Sequence, residues 1–408
     1  MHSNSVFSRS WPSVSLPEEI GDASRVGMNA YQRVTALTDN FDNSELDLPI
    51  LGLFGEVGGL LSALKKKQRD QSHEQSYDEA IAEELGDVLW YFTRIASRAK
   101  LDLSVIAQRA FREFGDWDEV SSDEGGIFGD IQNRSTDPIS SEEFSGRVVQ
   151  LAGRVGDLVN DLHADAFVSN RDKLAGHLVE IFRALITASD AAEIELEDAA
   201  RQNLYKIFSR WPHNKIYPPL FDLEDDPAEQ LPRHLEIEIF ERKRGGSILV
   251  FQRCNGLNIG DPLTDNKEDA DDYRYHDVFH YAYAAILGWS PVMRALFKLK
   301  RKSDPQKDEN QDGARANLVE EGISTWVFNR AQKQEFFAGV EPGKLSYDML
   351  KTVHQFASGY EAEQCPLWLW EEAILEGFRC FRYLKEHRQG KLILDLENRG
   401  ITIEALES

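Results

Sequence analysis

Cysteine is scarce: Cys254, Cys365 and Cys380 are the only three in 408 residues. None stands in a C-x-x-C pair. That excludes a cysteine-based zinc cluster and a disulfide framework, and predicts a reducing compartment. Positive charge is short as well. Against 70 Asp and Glu stand 46 Lys and Arg, a net charge of -24. Such a field repels polyphosphate backbones and anionic lipid, so neither nucleic acid nor a membrane is an expected partner. The opening MHSNSVFSRSWPSVSLPEE lacks the apolar core of a secretory signal. No apolar run is read as approaching the roughly 18 residues of a membrane span, which predicts a cytoplasmic protein. What the chain does have is 41% hydrophobic and 10% aromatic residues. That is enough for real cores, and the length corresponds to two to four domains at roughly 100–200 residues each.

Most of the chain has helical periodicity. Apolar residues recur three and four apart at Leu53, Val57, Leu60, Leu61 and Leu64, then at Ile81, Leu85, Val88, Leu89, Phe92 and Ile95. Asp102 and Ser104 sit where a further helix begins. The Ser-, Asp- and Gly-rich stretch 118–141 reads as a loop. A second helical block, from about Glu142 to Trp211, repeats the first in degenerate form. LFGEVGGLLSAL (53–64) aligns with LAGRVGDLVNDL (151–162), and IAQRAFREFGDW (106–117) with ARQNLYKIFSRW (200–211). Any two amphipathic helices share spacing, but not a common Gly-x-Val-Gly core and a common terminal Trp, so an internal duplication is the better reading. Pro212, Pro218, Pro219 and the acidic run to Pro227 mark a boundary. Beyond it, LEIEIFERKRGGSILVFQRC (235–254) alternates around Gly245-Gly246 as a β-hairpin. Helices follow to about His387, then a short apolar KLILDLENRG segment.

The expected fold is therefore mostly α: two helical repeats forming an all-α bundle, then an α+β domain with a hairpin and helices. The expected divisions are a loose segment 1–22, repeat one 23–120, a linker 121–141, repeat two 142–222 and a C-terminal domain 223–408.

Chemistry concentrates in GEVGGLLSALKK and EELGDVLWY. Glu84 and Asp87, three apart, share one helix face, and Glu56 lies on the preceding helix. A lone Glu on an amphipathic helix is ordinarily wet surface. Glu84 and Asp87 differ because they sit among Leu85, Val88, Leu89 and Trp90, with Gly86 allowing close approach. Carboxylates converging there repel unless a cation lies among them, and oxygen-only ligands suit Mg²⁺ or Mn²⁺ rather than zinc.

On these residues the chain resembles the MazG-like all-α nucleoside triphosphate pyrophosphohydrolases, whose pattern is ExxE on one helix and ExxD on the next. The resemblance implies a metal-dependent hydrolase that turns a (d)NTP into (d)NMP and pyrophosphate, with Glu56, Glu84 and Asp87 as catalytic metal ligands. The second Glu of ExxE is Gly59 here. Glu83 is a substitute turned about 100° around the helix. In the second repeat Arg154 replaces the first Glu, Asp157 falls at the second, and His177 and Glu180 occupy the ExxD positions. The family's Asn and Lys carry over to Asn203 and Lys206, where repeat one has Arg109 and Arg112. The losses are complementary, so one composite site is expected. Glu56, Glu84 and Asp87 hold Mg²⁺, and Asp157 or Glu180 completes the set. Asn203, Lys206 and Lys65 or Lys66 hold phosphate, although the Lys65–Lys67 run also reads as a solvated helix end. A homodimer or higher oligomer is compatible with this reading.

The remainder resembles the C-terminal extension found in some MazG-like proteins. His276 and His280 are four apart, with Asp277 between them, and Glu320 and Glu321 lie in a later apolar helix. Two readings stay open: a transition-metal site, or a buried polar network tying two helices together. The basic run Lys298, Lys300, Arg301 and Lys302 reads as a loop-facing helix end, or as a phosphate contact. Two further functional readings stand beside the hydrolase: a nucleotide sensor that no longer hydrolyses, and a metalloenzyme working through the His276/His280 cluster.

Overall fold

The structure, a computed structural model, describes residues 14–20, 25–39, 45–70, 74–111, 126–132, 141–163 and 171–406. The chain divides into two compact units between Asn214 and Lys215.

The first unit is helical. Its elements are α1 (Met28–Ala36), α2 (Asp47–Asp70), α3 (Glu74–Arg98), α4 (Leu103–Phe111), α5 (Ser141–His163), α6 (Arg171–Ala191) and α7 (Leu196–Arg210). Helices α2 and α3 pair as one hairpin, α5 and α6 as another, and α2 packs on α5. The predicted stripes are the ones buried. Leu53, Val57, Leu60 and Leu64 of α2 and Ile81, Leu85, Val88, Leu89, Phe92 and Ile95 of α3 lie in one core with Leu151, Val155, Leu178, Phe182 and Leu185 of the second hairpin. Phe92 stacks on Phe182 with ring centres 5.4 Å apart. The two shorter helices cross over: α7 packs on α3, while α4 packs on α6. This exchange brings residues from the end of the unit against the first hairpin.

Three expectations for this unit change. Residues 14–20 are not loose: Glu18–Ile20 form a 3₁₀ turn and Ile20 is buried. Within the stretch read as a linker, Phe128 is buried in a 3₁₀ turn and Ile127 bridges Gly27. Residues 112–125 and 133–140, which include Arg112 and Trp117, lie outside the described residues. Finally, Asp47–Lys66 is long and apolar enough on average to cross a membrane, although no uninterrupted apolar run marks it in the sequence. Its apolar residues are interrupted by Gly52, Gly55, Gly58, Gly59 and Glu56, and its buried side belongs to the core above.

The second unit is α+β. Its antiparallel sheet has the order β3-β2-β1-β4-β5, built from β1 (His234–Arg244), β2 (Ser247–Cys254), β3 (Leu257–Leu263), β4 (Gln389–Asp395) and β5 (Gly400–Glu404). The hairpin is where the sequence placed it. Arg244 pairs with Ser247, and Gly245 and Gly246 both have positive φ, 59° and 89°. A two-residue turn of this hand requires that, and glycine supplies it without strain. The hairpin is, however, only part of a five-stranded sheet. β3 lay hidden because GDPLTDN carries turn residues, and Pro262 is accommodated on an edge strand. KLILDLENRG is β4 and its turn, and β4 pairs with β1, from Phe240 on Gln389 to His234 on Asp395, across 149 to 161 residues of chain.

The helices of this unit are α8 (Asp277–Ala282), continued by a π-turn at Tyr283–Leu287, α9 (Pro291–Phe297), α10 (Pro305–Asn310), α11 (Ala314–Ala331), α12 (Tyr347–Phe356) and α13 (Leu367–His387). α13 packs on α8 and on β4 and β5. Asp222, expected at the end of repeat two, is buried in this unit instead, where it binds Arg294 at 2.8 Å and Arg233 at 2.9 Å. The basic run is also redistributed. Arg301 is 1% exposed and pairs with Asp312 and Glu361, each at 2.8 Å, so it is a structural hub and not a surface cation.

Candidate functional site

In the first unit, α2 and α3 lie side by side and set Glu56 opposite Glu84 and Asp87. Gly86, between those two carboxylates, faces α7. A Cβ there would fall 2.8 Å from the Ala199 carbonyl oxygen and 3.0 Å from Asn203 Cβ, so only glycine admits α7 this closely. That approach delivers the polar partners. Asn203 Nδ2 donates to Asp87 Oδ1 at 2.9 Å. Lys206 Nζ binds Asp87 Oδ2 at 2.5 Å and Glu83 Oε1 at 3.1 Å. Tyr31 of α1 donates its hydroxyl to Asn203 Oδ1 at 3.0 Å, which fixes which end of that amide faces Asp87.

The missing ExxE carboxylate has a structural counterpart. A Cβ at Gly59 would lie 2.1 Å from Glu84 Oε2. The Glu84 carboxylate therefore occupies the space a side chain at 59 would need. Charge in the cluster is unbalanced. Glu56 is pushed up to about 7, first by burial and then by the negative charges of Asp87 and Glu84, with Glu83 adding to them and Lys206 opposing. Three carboxylates and one ammonium thus act on Glu56, so the cluster sets four carboxylates, Glu56 included, against one ammonium.

The structure brings Glu56, Glu83, Glu84, Asp87, Asn203 and Lys206 together. It does not bring Glu180 to them: that carboxylate is held by Arg183 at 2.6 Å and Arg154 at 3.6 Å. Asp157 is exposed on α5 with no hydrogen bond or ion pair to the described residues, and Lys66 is exposed on α2. His177 is bound to Asp161 at 2.6 Å. Tyr31 was not singled out from sequence, because nothing in its local pattern marks a tyrosine that reaches a helix 172 residues away.

In the second unit, α8 carries His276 and His280 on one face, and α11 brings Glu320 and Glu321 against them. His280 Nδ1 meets Glu320 Oε1 at 2.8 Å. Glu320, fully buried, also accepts from Ser290 Oγ at 2.7 Å and the Val292 amide at 2.8 Å. Glu321 lies 3.5 Å from His280 Nε2 and 4.0 Å from His276 Nε2. Burial opposes charging His280, but Glu320 and Glu321 overcome it and hold its pKa well above the usual imidazole value. Burial would raise Glu321, yet contact with His280 draws it below the ordinary carboxylate range.

An all-α unit with convergent carboxylates, followed by an α+β unit, defines a class that sequence comparison specifies further. Residues 216–407 match the family described as the MazG C-terminal domain. The chain belongs to the MazG-like family. It is also similar to the Gene 37 protein of Mycobacterium phage L5, 33% identical over 86 residues that make up 21% of this chain and 72% of that protein. No solved structure matches.

Proposed function

We propose that the chain is a nucleoside triphosphate pyrophosphohydrolase, converting a (d)NTP and water to (d)NMP and pyrophosphate. One observation carries this reading: the carboxylates of α2 and α3 converge under an Asn and a Lys supplied by α7. The donors are all oxygens and their charge exceeds that of Lys206, which fits Mg²⁺ or Mn²⁺ better than any nitrogen- or sulfur-seeking ion. Glu56, Glu84 and Asp87 would hold the cation, with Glu83 alongside. When bound, it would polarise the phosphate oxygens, lower the pKa of an attacking water and offset charge on departing pyrophosphate. Lys206 and Asn203, which both bind Asp87, would exchange it for phosphate oxygens. A lysine acts there as a mobile point charge. Tyr31 keeps the Asn203 amide oriented through that exchange.

The exchange of α4 and α7 between the hairpins supports a composite site in which the halves are diverged copies. The first supplies carboxylates and the second supplies Asn203 and Lys206. Glu180 and Asp157 have no part in this version. The test is product analysis of a panel of NTPs and dNTPs with Mg²⁺. Pyrophosphate and monophosphate in equal amounts, abolished by Glu84→Gln, are expected. Turnover of none of them, or turnover that survives Glu84→Gln, overturns the reading.

A further inference from the structure

We propose that His276, Asp277, His280 and Glu321 of the second unit form a binding site for a divalent first-row transition-metal ion. This centre is independent of the carboxylate cluster in the first unit and stands whether or not that cluster hydrolyses nucleotides.

The ligand atoms of His276, Asp277 and His280 lie within 4.8 Å of one another. The decisive feature is how the rings are held. Each imidazole uses Nδ1 on a fixed oxygen: His276 on the Tyr273 carbonyl at 2.9 Å, His280 on Glu320 at 2.8 Å. Both are thereby turned with Nε2 toward the same place. Metal-binding histidines are ordinarily held this way, with an outer oxygen fixing the tautomer and the ring angle. His280 is 1% exposed, and its Nε2 has no hydrogen-bond partner. Glu321 Oε1 stands 3.5 Å from it, long for a hydrogen bond. A buried ring nitrogen met by one long ion pair and no hydrogen bond calls for a reason, and a ligand is one.

The two glutamates that look alike in sequence are separated by the fold. Glu320 is saturated by His280, Ser290 and the Val292 amide, so it orients and does not ligate. Glu321 is free of those bonds and faces both Nε2 atoms. Asp277 is oriented in turn: its Oδ2 accepts from Gln252 of β2, whose own carbonyl accepts from Tyr281 at 2.5 Å. Tyr273 stacks flat on His276, ring centres 4.4 Å apart, closing one side. The helix passes into a π-turn at Tyr283, three residues after His280, a distortion that recurs at functional sites. Two imidazoles and two carboxylates suit Fe²⁺, Mn²⁺, Co²⁺ or Zn²⁺, whereas Mg²⁺ prefers oxygen alone.

The experiment strips the full chain with chelator, titrates it with Co²⁺ alone and reads the visible d–d absorption, with Zn²⁺ and Mn²⁺ followed by calorimetry. All measurements are made in an Asp87→Asn background, which disables the first unit's cluster. One equivalent bound, with imidazole-type Co²⁺ bands, is expected. Binding should be lost in His280→Gln and in His276→Gln. Glu320→Gln should weaken it roughly 10–100-fold while keeping the stoichiometry. Since His280 is central to the core, the partly exposed Glu321→Gln provides a second variant, expected to bind more weakly while its circular dichroism is unchanged. Failure to bind one equivalent of any of the three ions, or binding indifferent to His276→Gln and Glu321→Gln, overturns the proposal and leaves a His280 imidazolium bridging Glu320 and Glu321.

Discussion

Replacing Glu56 by Gln removes one negative charge from the α2/α3 cluster and keeps the side chain's size. In the folded chain this carboxyl titrates at about 7 against an ordinary 4.5. That difference corresponds to a ceiling of about 3 kcal/mol. The side chain is only half-buried, and solvent screening reduces the ceiling to about 1–2 kcal/mol. The direction follows from the raised value. Below about 4.5 the carboxyl is protonated whether the chain is folded or not, and its contribution is fully present. As pH rises through about 7 the folded state must ionise it among Asp87 and Glu84, and that contribution is lost. Without divalent cations, Glu56→Gln should match wild type near pH 4.5 and exceed it by about 1–2 kcal/mol at pH 8. Saturating Mg²⁺ should reverse the order, because an ion at about 100 times its Kd stabilises its binding state by about 2.7 kcal/mol. Urea unfolding with and without chelator reads this, followed by amide exchange of α2 and α3 peptides so that only the first unit is scored. A difference between variant and wild type that is the same at pH 4.5 and pH 8 would refute the account of the cluster as a cation-deficient site.

Gly86→Val should separate α3 from α7, because its Cβ would lie against the Ala199 carbonyl. The expected loss is about 1–3 kcal/mol in urea, with Asn203 drawn off Asp87; a change under about 0.5 kcal/mol would contradict the packing. In the second unit, Arg301→Met removes the cation that Asp312 and Glu361 share and leaves Asp312 only Arg294, at 3.7 Å. Unfolding of that unit should become easier by about 3–5 kcal/mol, and an effect of surface size would mean that the buried network is not as described.

Much was legible in the chain. The three-and-four spacing of Leu53–Leu64 and Ile81–Ile95 named the buried faces, since a helix can hide only a stripe that recurs at its own period. The i, i+3 spacing of Glu84 and Asp87 put both on one face, and the Gly245-Gly246 turn announced a hairpin, because those signals are local. The grouping of Asn203 and Lys206 with those carboxylates followed from family resemblance, and the structure gives its geometric basis in the packing of α7 on α3. What stayed hidden depends on partners distant in sequence. β3 and β5 are short edge strands whose pairing, more than their residues, makes them strands. Arg301 looked like any surface cation until Asp312 and Glu361 enclosed it. Tyr31 counts because its hydroxyl meets Asn203.

The sequence by itself determined the helical stripes, the carboxylates available on α2 and α3, the His276/His280 spacing and the excess of negative charge. Only the tertiary structure decided which helix faces which. It set α7 on Gly86, tied Glu180 to Arg154 and Arg183, and gave adjacent Glu320 and Glu321 different tasks. Neighbours on a helix point about 100° apart, so what each one meets is fixed by packing and not by its own residue type.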